Sequence, residues 1–391
     1  MAGIGLTDLN VSDYNGPQFI LIKGRARMAN IVVTRKIAPV ALKELESVGT
    51  VKLWEEDRPI APAVLREWVR TADALLSMLT DPIDETLLAS APRLRIVANM
   101  AVGYDNIDVK AATRRQILVT NTPDVLTEAT ADLTWALLLA LLRGVLSSHQ
   151  ALRQGAWDGW RPDGFLGTEV HGKVLGIVGL GRIGRAVAER ARGFHMPVIA
   201  LASGRARPDD GSGIIRMARD EFLARADIVS LHAPLTPDTR HMVNRQWLFD
   251  MKPGAFLVNT ARGALIDEAA LLEALNRGRL AGAALDVFEH EPVSPDHPLV
   301  VHPRVLTTPH IGSATRETRE QMAVMAACNI CWAPRGLETA TIFNPVGSSG
   351  LGAHSFLYTD YSLTSWVGSG YEFELICWLV WFMTCTQTIG S

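Results

Sequence analysis

The chain has 391 residues, with 38 Lys and Arg against 41 Asp and Glu, a formal net charge of −3 and a hydrophobic share of 48%. That length asks for two or three domains with a sizeable apolar interior. The near-neutral balance excludes the electrostatic footprint of a nucleic-acid or anionic-membrane binder and leaves a small molecule as the expected partner.

In chain order, Met1 to Lys23 lacks a basic start followed by a continuous apolar region, so no signal peptide is expected. Residues 1–27 show no clear period, and Met28 with "ANIVVTR" reads as the more natural beginning. From Ile31 short apolar strands alternate with amphipathic helices: "IVV", the helical "APVALKELESVG", "TVKLWEE", the helical "APAVLREWVR", "ADALLSM" and "LRIVANM". This rhythm predicts a parallel sheet with helices on its faces. One long helix is expected over Ala131 to Gln150, followed by a Gly- and Trp-rich connector, "RQGAWDGWRPDGFLGTEVHGK", of the composition a hinge has. The apolar runs at Leu138–Leu142, cut by Arg143, and Leu375–Met383 are too short for the roughly 20 residues a bilayer span needs.

A second series follows: "VLGIVG", "VIALA", "IVSLH", "AFLVNTA", "AGAALDV" and "VLTTPH", with helical stretches between. Because it has its own nucleotide-binding start, it is a second α/β domain rather than a continuation of the first. Residues 347–391 contain no Lys or Arg and many aromatic, Ser, Thr and Gly residues, and are read with 1–27 as atypical, poorly ordered extensions. All four cysteines (Cys328, Cys331, Cys377, Cys385) fall late, so the main body has no disulfide framework and a reducing cytoplasm fits. Cys328-x-x-Cys331 lacks a second pair or a nearby His, which favours helix packing over a metal, and no metal site is expected.

The strongest signal is "VLGIVGLGRIGRA", a β-branched strand running into Gly179-Leu180-Gly181-Arg182-Ile183-Gly184 and then a helix. Gly179 permits the tight turn, Gly181 lets backbone N–H groups approach a pyrophosphate, and Gly184 allows the helix to pack closely on the strand. The acidic residue expected about 20 positions on, for the adenosine ribose, is missing. Ala202, Ser203 and Gly204 stand there, with Arg205 and Arg207 beside them. Those donors and positive charges suit a 2′-phosphate, so NADP(H) is the favoured cofactor, with NAD(H) as the alternative. Three later strands end in chemistry-bearing residues: "LVNTARGALID" at Arg262, "ALDVFEHEP" at Asp286 and Glu291, and "VLTTPHIGSAT" at His310. In an open α/β sheet ligands bind beyond the carboxyl ends of the strands, so these side chains are expected to converge beside a nicotinamide.

In this order "GLGRIG", "NTARG", "LDVFEHEP" and "TPHIGSAT" resemble the D-isomer-specific 2-hydroxyacid dehydrogenase family over about Ala29 to Pro345. "ANMAVGYDNID", "TNTPDVLTEATAD" and "WRPDGFLG" are most similar to its glyoxylate and hydroxypyruvate reductase branch. The resemblance implies two Rossmann-like domains. A flavodoxin-like, discontinuous substrate domain (28–122 plus 311–346) would be split by an inserted doubly wound NAD(P)-binding domain (123–310), and a homodimer would form through the cofactor domains. Cys331, Trp332 and Pro334 are expected to interrupt the closing helix that returns to the substrate domain.

The implied reaction is reduction of a small 2-oxo acid by hydride transfer from the nicotinamide. The resemblance gives Arg262 the grip on the substrate's carboxylate and carbonyl, His310 the proton for the developing alkoxide, and Glu291 the orientation and charge support of His310. Thr260, Ala261, Asp286 and Gly312 join the fingerprint residues and Ala202–Arg205 as cofactor contacts. The Val102 and Gly103 amides would bind the substrate carboxylate, and Met78 and Leu79 would line a small pocket. A 2-ketogluconate reductase, a 3-phosphoglycerate or phosphite dehydrogenase, and a cofactor-sensing corepressor share the fold and are the alternative readings.

Overall fold

The computed structural model describes residues 29–202 and 213–332. Both extensions, Ser203, Gly204, Arg205, Arg207 and Pro334 lie outside the described residues.

The first sheet contains β1 (Ala29–Val33), β2 (Gly49–Leu53), β3 (Ala74–Ser77), β4 (Ile96–Asn99) and β5 (Leu118–Thr120). They are all parallel, in the order β2-β1-β3-β4-β5, with Ile31 opposite Val51 on one side and Ala74 on the other. β3 and β4 are buried along their whole length, which is why "ALLS" and "IVAN" carry no alternating polar positions. Helices α1 (Pro39–Val48) and α2 (Pro62–Val69) each start on a proline, whose fixed φ and missing N–H suit a first turn. Two further helices, α3 (Glu85–Ala89) and α4 (Val109–Arg114), are too short to show a helical period in the sequence. Their starts are marked by Asp84 and Asp108, whose carboxylates accept from the Leu87 and Ala111 amides at 2.8 and 2.9 Å.

The single helix expected over 131–150 is two. α5 (Thr127–Leu142) starts earlier and stops where Gly144 adopts φ +58, a left-handed conformation that costs glycine little. α6 (Val145–Arg153) then departs at 61°. Among the described residues no single helix is long and apolar enough to cross a membrane. Leu137, Leu138 and Leu142 of α5 are instead buried in the core beneath the second sheet, with Leu133, Leu139 and Leu141 half-buried against it.

That sheet contains β6 (Leu175–Val178), β7 (Val198–Leu201), β8 (Ile215–Met217), β9 (Ile228–Leu231), β10 (Ala255–Asn259), β11 (Leu280–Leu285) and β12 (Val305–Thr307). Its order is β12-β11-β10-β9-β6-β7-β8, again all parallel, so the winding reverses between β6 and β9. β8 is absent from the sequence reading because it is three residues long and its first residue is exposed. Helices α7 (Arg182–Arg190), α8 (Arg219–Arg225), α9 (Arg245–Asp250) and α10 (Glu268–Asn276) complete the layers. α5 packs against α7, where the Trp135 indole donates to the Val187 carbonyl at 3.0 Å and its ring stacks on Phe194.

After β12 the chain enters α11 (Arg316–Trp332), which runs unbroken through Cys331. The expected interruption at Cys331 and Trp332 is therefore corrected: neither residue removes a backbone donor as proline does, and the helix carries both. Met322, Ala323, Ala326, Ala327, Ile330 and Cys331 pack into the core of the first sheet, with Ile31, Leu45 and Leu76. Cys328 sits half-buried on the same helix, and burial followed by the Glu44 charge pushes its thiol up to about 11, leaving it unreactive at neutral pH.

Candidate active site

The carboxyl ends of strands from both sheets carry the residues singled out in the sequence. In the second sheet β6 runs into the glycine fingerprint at the reversal point, where a doubly wound sheet opens its crevice. Gly179 has φ +94, and a side chain there would stand 2.5 Å from the Ala233 amide nitrogen. A Cβ on Gly184 would strike the Gly179 carbonyl. At Gly181 an added Cβ meets nothing within 4 Å, so this position is open where its neighbours are closed. Gly181 is also the N-cap of α7 and, having no side chain, supplies no side-chain cap of its own. An open glycine on an uncapped helix start fits a dinucleotide pyrophosphate. Leu180 and Ile183 are half-buried, Ile183 packing against the cores of both sheets, and Arg182 pairs with Asp124 at 2.5 Å. Ala202 is exposed at the end of β7.

The loop after β10 is shaped by buried Asn259, which donates to the Arg262 carbonyl at 2.8 Å and accepts from the Ala261 amide at 3.0 Å. Thr260 shares a 2.9 Å hydroxyl bond with Thr134 of α5. Arg262 leaves this loop toward the first sheet. Its Nε donates to Asp105 at 2.9 Å, its Nη1 to the Ala261 carbonyl at 2.9 Å, and its Nη2 lies directly against the Cα side of Gly103.

The loop after β11 delivers Asp286 and Glu291, and the loop after β12 delivers His310. Asp286 is fully buried. Its Oδ1 accepts from the Thr308 hydroxyl at 2.6 Å and the Ile311 amide at 2.8 Å, and its Oδ2 from the Gly312 amide at 2.8 Å. Burial raises its carboxyl above the usual range, opposed by those bonds and by the His310 charge. Both carboxylate oxygens therefore hold the 308–312 loop, and Gly312 is clasped from the other side by Thr130 through its carbonyl at 3.1 Å. Glu291 Oε2 lies 2.7 Å from His310 Nδ1 while Oε1 accepts from the Phe288 amide at 3.0 Å. Burial alone would raise the Glu291 carboxyl, but the hydrogen bond and charge of His310, the Phe288 amide and the Arg262 charge hold it below the usual range. Both side chains keep about a quarter of their surface exposed, 28% for Glu291 and 26% for His310.

From the first sheet, the loop after β4 presents Val102 and Gly103. Asn99 donates to the Gly103 carbonyl at 2.9 Å and Asn121 to the Val102 carbonyl at 2.9 Å. The carbonyls are thus committed, and neither amide donates to another described residue. Met78 and Leu79, half-buried, follow β3, where Asn106 donates to the Met78 carbonyl at 3.1 Å.

Several residues with structural work in this site escaped the sequence reading. Asp105 and Asn106 lie within "ANMAVGYDNID", but only the polar run closing an apolar strand signals them. Thr130 and Thr134 are hidden inside a helical segment. His232, at the end of β9, bonds Ser230 at 2.8 Å, and burial pushes its imidazole down to about 3, so it is neutral beside the fingerprint turn.

Two all-parallel α/β layers, a dinucleotide fingerprint at the reversal point and an Arg, Glu and His set at neighbouring strand ends define a nicotinamide-dependent oxidoreductase. Residues 135–312 match the family model of the D-isomer specific 2-hydroxyacid dehydrogenase NAD binding domain. A glyoxylate reductase of Aeropyrum pernix is 48% identical over 319 residues, which cover 80% of this chain and 95% of that protein. A crystal structure of a Thermus thermophilus protein is similar with a TM-score of 0.76 at 44% identity, covering 81% of this chain and 100% of that one. An NADPH-dependent glyoxylate/hydroxypyruvate reductase of Sinorhizobium meliloti, solved with NADP and malonate, is similar with a TM-score of 0.71 at 34% identity, over 81% of this chain and 97% of that one. The chain belongs to the D-isomer-specific 2-hydroxyacid dehydrogenase family.

Proposed function

We propose that the chain reduces glyoxylate or hydroxypyruvate to the 2-hydroxy acid, the D-isomer where C2 becomes a stereocentre, using NADPH in preference to NADH. The observation that carries this reading is the arrangement of Arg262 against Gly103 with the Glu291–His310 pair in the neighbouring strand-end loop. The bound cofactor supplies the hydride that reduces the C2 carbonyl. The residues that suit holding it are Gly179, Leu180, Gly181, Arg182, Ile183 and Gly184 at the phosphates, Ala202 to Arg205 at the adenosine ribose, and Thr260, Ala261, Asp286 and Gly312 at the nicotinamide side. Asp286 acts by fixing the loop that carries His310.

Arg262 holds the substrate carboxylate and carbonyl oxygen with a permanently charged planar fork, and the free amides of Val102 and Gly103 complete the carboxylate site. Met78 and Leu79 form its apolar wall. With Nδ1–H committed to Glu291, the other imidazole nitrogen of His310 gives its proton to the carbonyl oxygen as it becomes an alkoxide. Glu291 stabilises the imidazolium that must be present before transfer.

The preference for NADPH rests on Ser203 and Arg205 in the sequence, where a ribose-binding carboxylate is missing, and is supported by the similarity to an NADPH-dependent reductase. The division into 28–122 plus 311–346 and 123–310, a homodimer through the cofactor domains and a cytoplasmic location belong to the same reading.

Initial rates with glyoxylate and hydroxypyruvate, each with NADPH and NADH, test it. Faster oxidation of NADPH, with a raised NADPH KM in Arg205→Ala, is expected. Faster oxidation of NADH removes the role given to Arg205, and no turnover with either acid overturns the reductase assignment.

A further inference from the structure

Sheets wound like the first one, in the order β2-β1-β3-β4-β5, open their ligand crevice between β1 and β3, where the winding reverses. The residues given substrate roles so far follow β3 and β4. The end of β1 contributes Thr34 and Arg35, and the Arg35 side chain is only 24% exposed. Its Nε is buried without a hydrogen-bond partner among the described residues. Its described ion pair is a loose 3.8 Å contact with Asp57, a residue that is itself fully exposed. Buried guanidinium N–H groups are costly to leave unbonded, so such a group at a crevice is a donor in want of an acceptor.

The surroundings of Arg35 are fixed. Asp81, 2% exposed, accepts from the Met78 amide at 2.8 Å and from the Thr34 hydroxyl, and Asn106 donates to the Asp81 carbonyl at 3.0 Å. This knot ties the end of β1 to the turn carrying Met78 and Leu79. The Asp81 carboxyl also feels the Arg35 charge. The carboxylates of Asp57 and Asp81 already answer the Arg35 charge, so Arg35 suits a neutral oxygen better than a further anion. Strands stand about 4.8 Å apart, so β1 lies roughly 10 Å from β4 across β3. A substrate whose carboxylate is held at Gly103, after β4, meets the long Arg35 side chain when its third carbon points toward β1.

We propose that Arg35 is a specificity residue that donates a hydrogen bond to the oxygen on C3 of a three-carbon 2-oxo acid, favouring hydroxypyruvate over glyoxylate, which has no third carbon. This inference rests on the reductase reading above. Asp81 and Thr34 position the Met78 turn beside it.

The test compares Arg35→Met and Arg35→Lys with the unaltered protein, with thermal melts to confirm folding. The ratio of kcat/KM for hydroxypyruvate to that for glyoxylate is expected to fall about tenfold or more in Arg35→Met, the loss of one charge-assisted hydrogen bond. Arg35→Lys, which keeps the charge without the fork, is expected to fall between. An unchanged ratio, or an equal loss on both substrates, overturns the proposal. If the unaltered protein reduces neither acid, the reductase reading fails, and a second measurement decides Arg35: tryptophan fluorescence titration with D-glycerate, which carries a neutral hydroxyl on C3, against glycolate, which has no third carbon. Tenfold weaker D-glycerate binding in Arg35→Met with unchanged glycolate binding supports the proposal, and parallel titrations overturn it.

Discussion

The guanidinium of Arg262 lies so close over Gly103 that a Cβ on that glycine would overlap Nη2, while Nε of the same arginine donates to Asp105 at 2.9 Å. A residue of the second sheet is thereby seated on a loop of the first. The obstacle at Gly103 is the tip of a flexible side chain, with Asp105 Oδ1 next at 3.0 Å, so a methyl group would displace Arg262 rather than break the fold. Gly103→Ala is expected to melt close to the parent temperature while losing about 100-fold in kcat/KM, a cost that small misplacements of a catalytic group produce. A fall in Tm of many degrees, with activity lost in proportion, would instead assign Gly103 to folding.

The Glu291–His310 bond of 2.7 Å separates two roles that substitution can distinguish. His310→Gln removes the proposed proton donor, and turnover should drop about 10²–10⁴-fold with cofactor affinity nearly intact. Glu291→Gln keeps the proposed donor but loses the carboxylate that orients it through Nδ1, so the loss is expected to be smaller, roughly 10–100-fold. Stopped-flow reduction together with cofactor titration checks both. Parallel loss of cofactor binding in His310→Gln would show that the imidazole shapes the loop instead of acting on the substrate.

Acid stability carries the signature of the same pair. The Glu291 carboxyl is lowered in the folded protein, so its contribution is present above the ordinary glutamate value of about 4.3 and is lost as pH falls through the lower folded value. Asp286 runs the other way: its carboxyl is raised by burial, so the cost of its charge appears as pH rises through the ordinary carboxylate range. In melts between pH 7 and about 3, the parent protein is expected to lose Tm more steeply at the acid end than Glu291→Gln. Superimposable curves would mean that the pair does not contribute to stability.

Those residues also mark how far the sequence could be read. Arg262, Glu291 and His310 were legible as candidates because each lies in the loop that follows an apolar strand, and the loop beyond a strand's carboxyl end is itself a structural statement. Asp105 and Asn106 were not, since a polar residue in a loop has no period to announce its partner, and the Arg262–Asp105 pair spans 157 positions. The same limit hid α3, α4 and β8, which are too short for any periodicity. At the closing helix the error came from composition: Cys331 and Trp332 looked like breakers, but burial of the α11 face against α1, β3 and β4 outweighed their modest helix propensity.

The fingerprint glycines are expected to fail in different ways when given a methyl group. Gly184 has the Gly179 carbonyl where its Cβ would be, and backbone cannot step aside as a side-chain tip does. Gly184→Ala should therefore lower Tm measurably and weaken cofactor binding through the distorted turn. Around Gly181 nothing lies within 4 Å of an added Cβ, so Gly181→Ala should fold and melt as the parent does. Its methyl group would occupy the space through which a pyrophosphate approaches the backbone, and an NADPH Kd raised about tenfold or more is expected, about 1.4 kcal/mol of binding. Calorimetric titration beside thermal melts separates the two. If Gly181→Ala binds NADPH as tightly as the parent, the open space at that glycine is not where the phosphates lie.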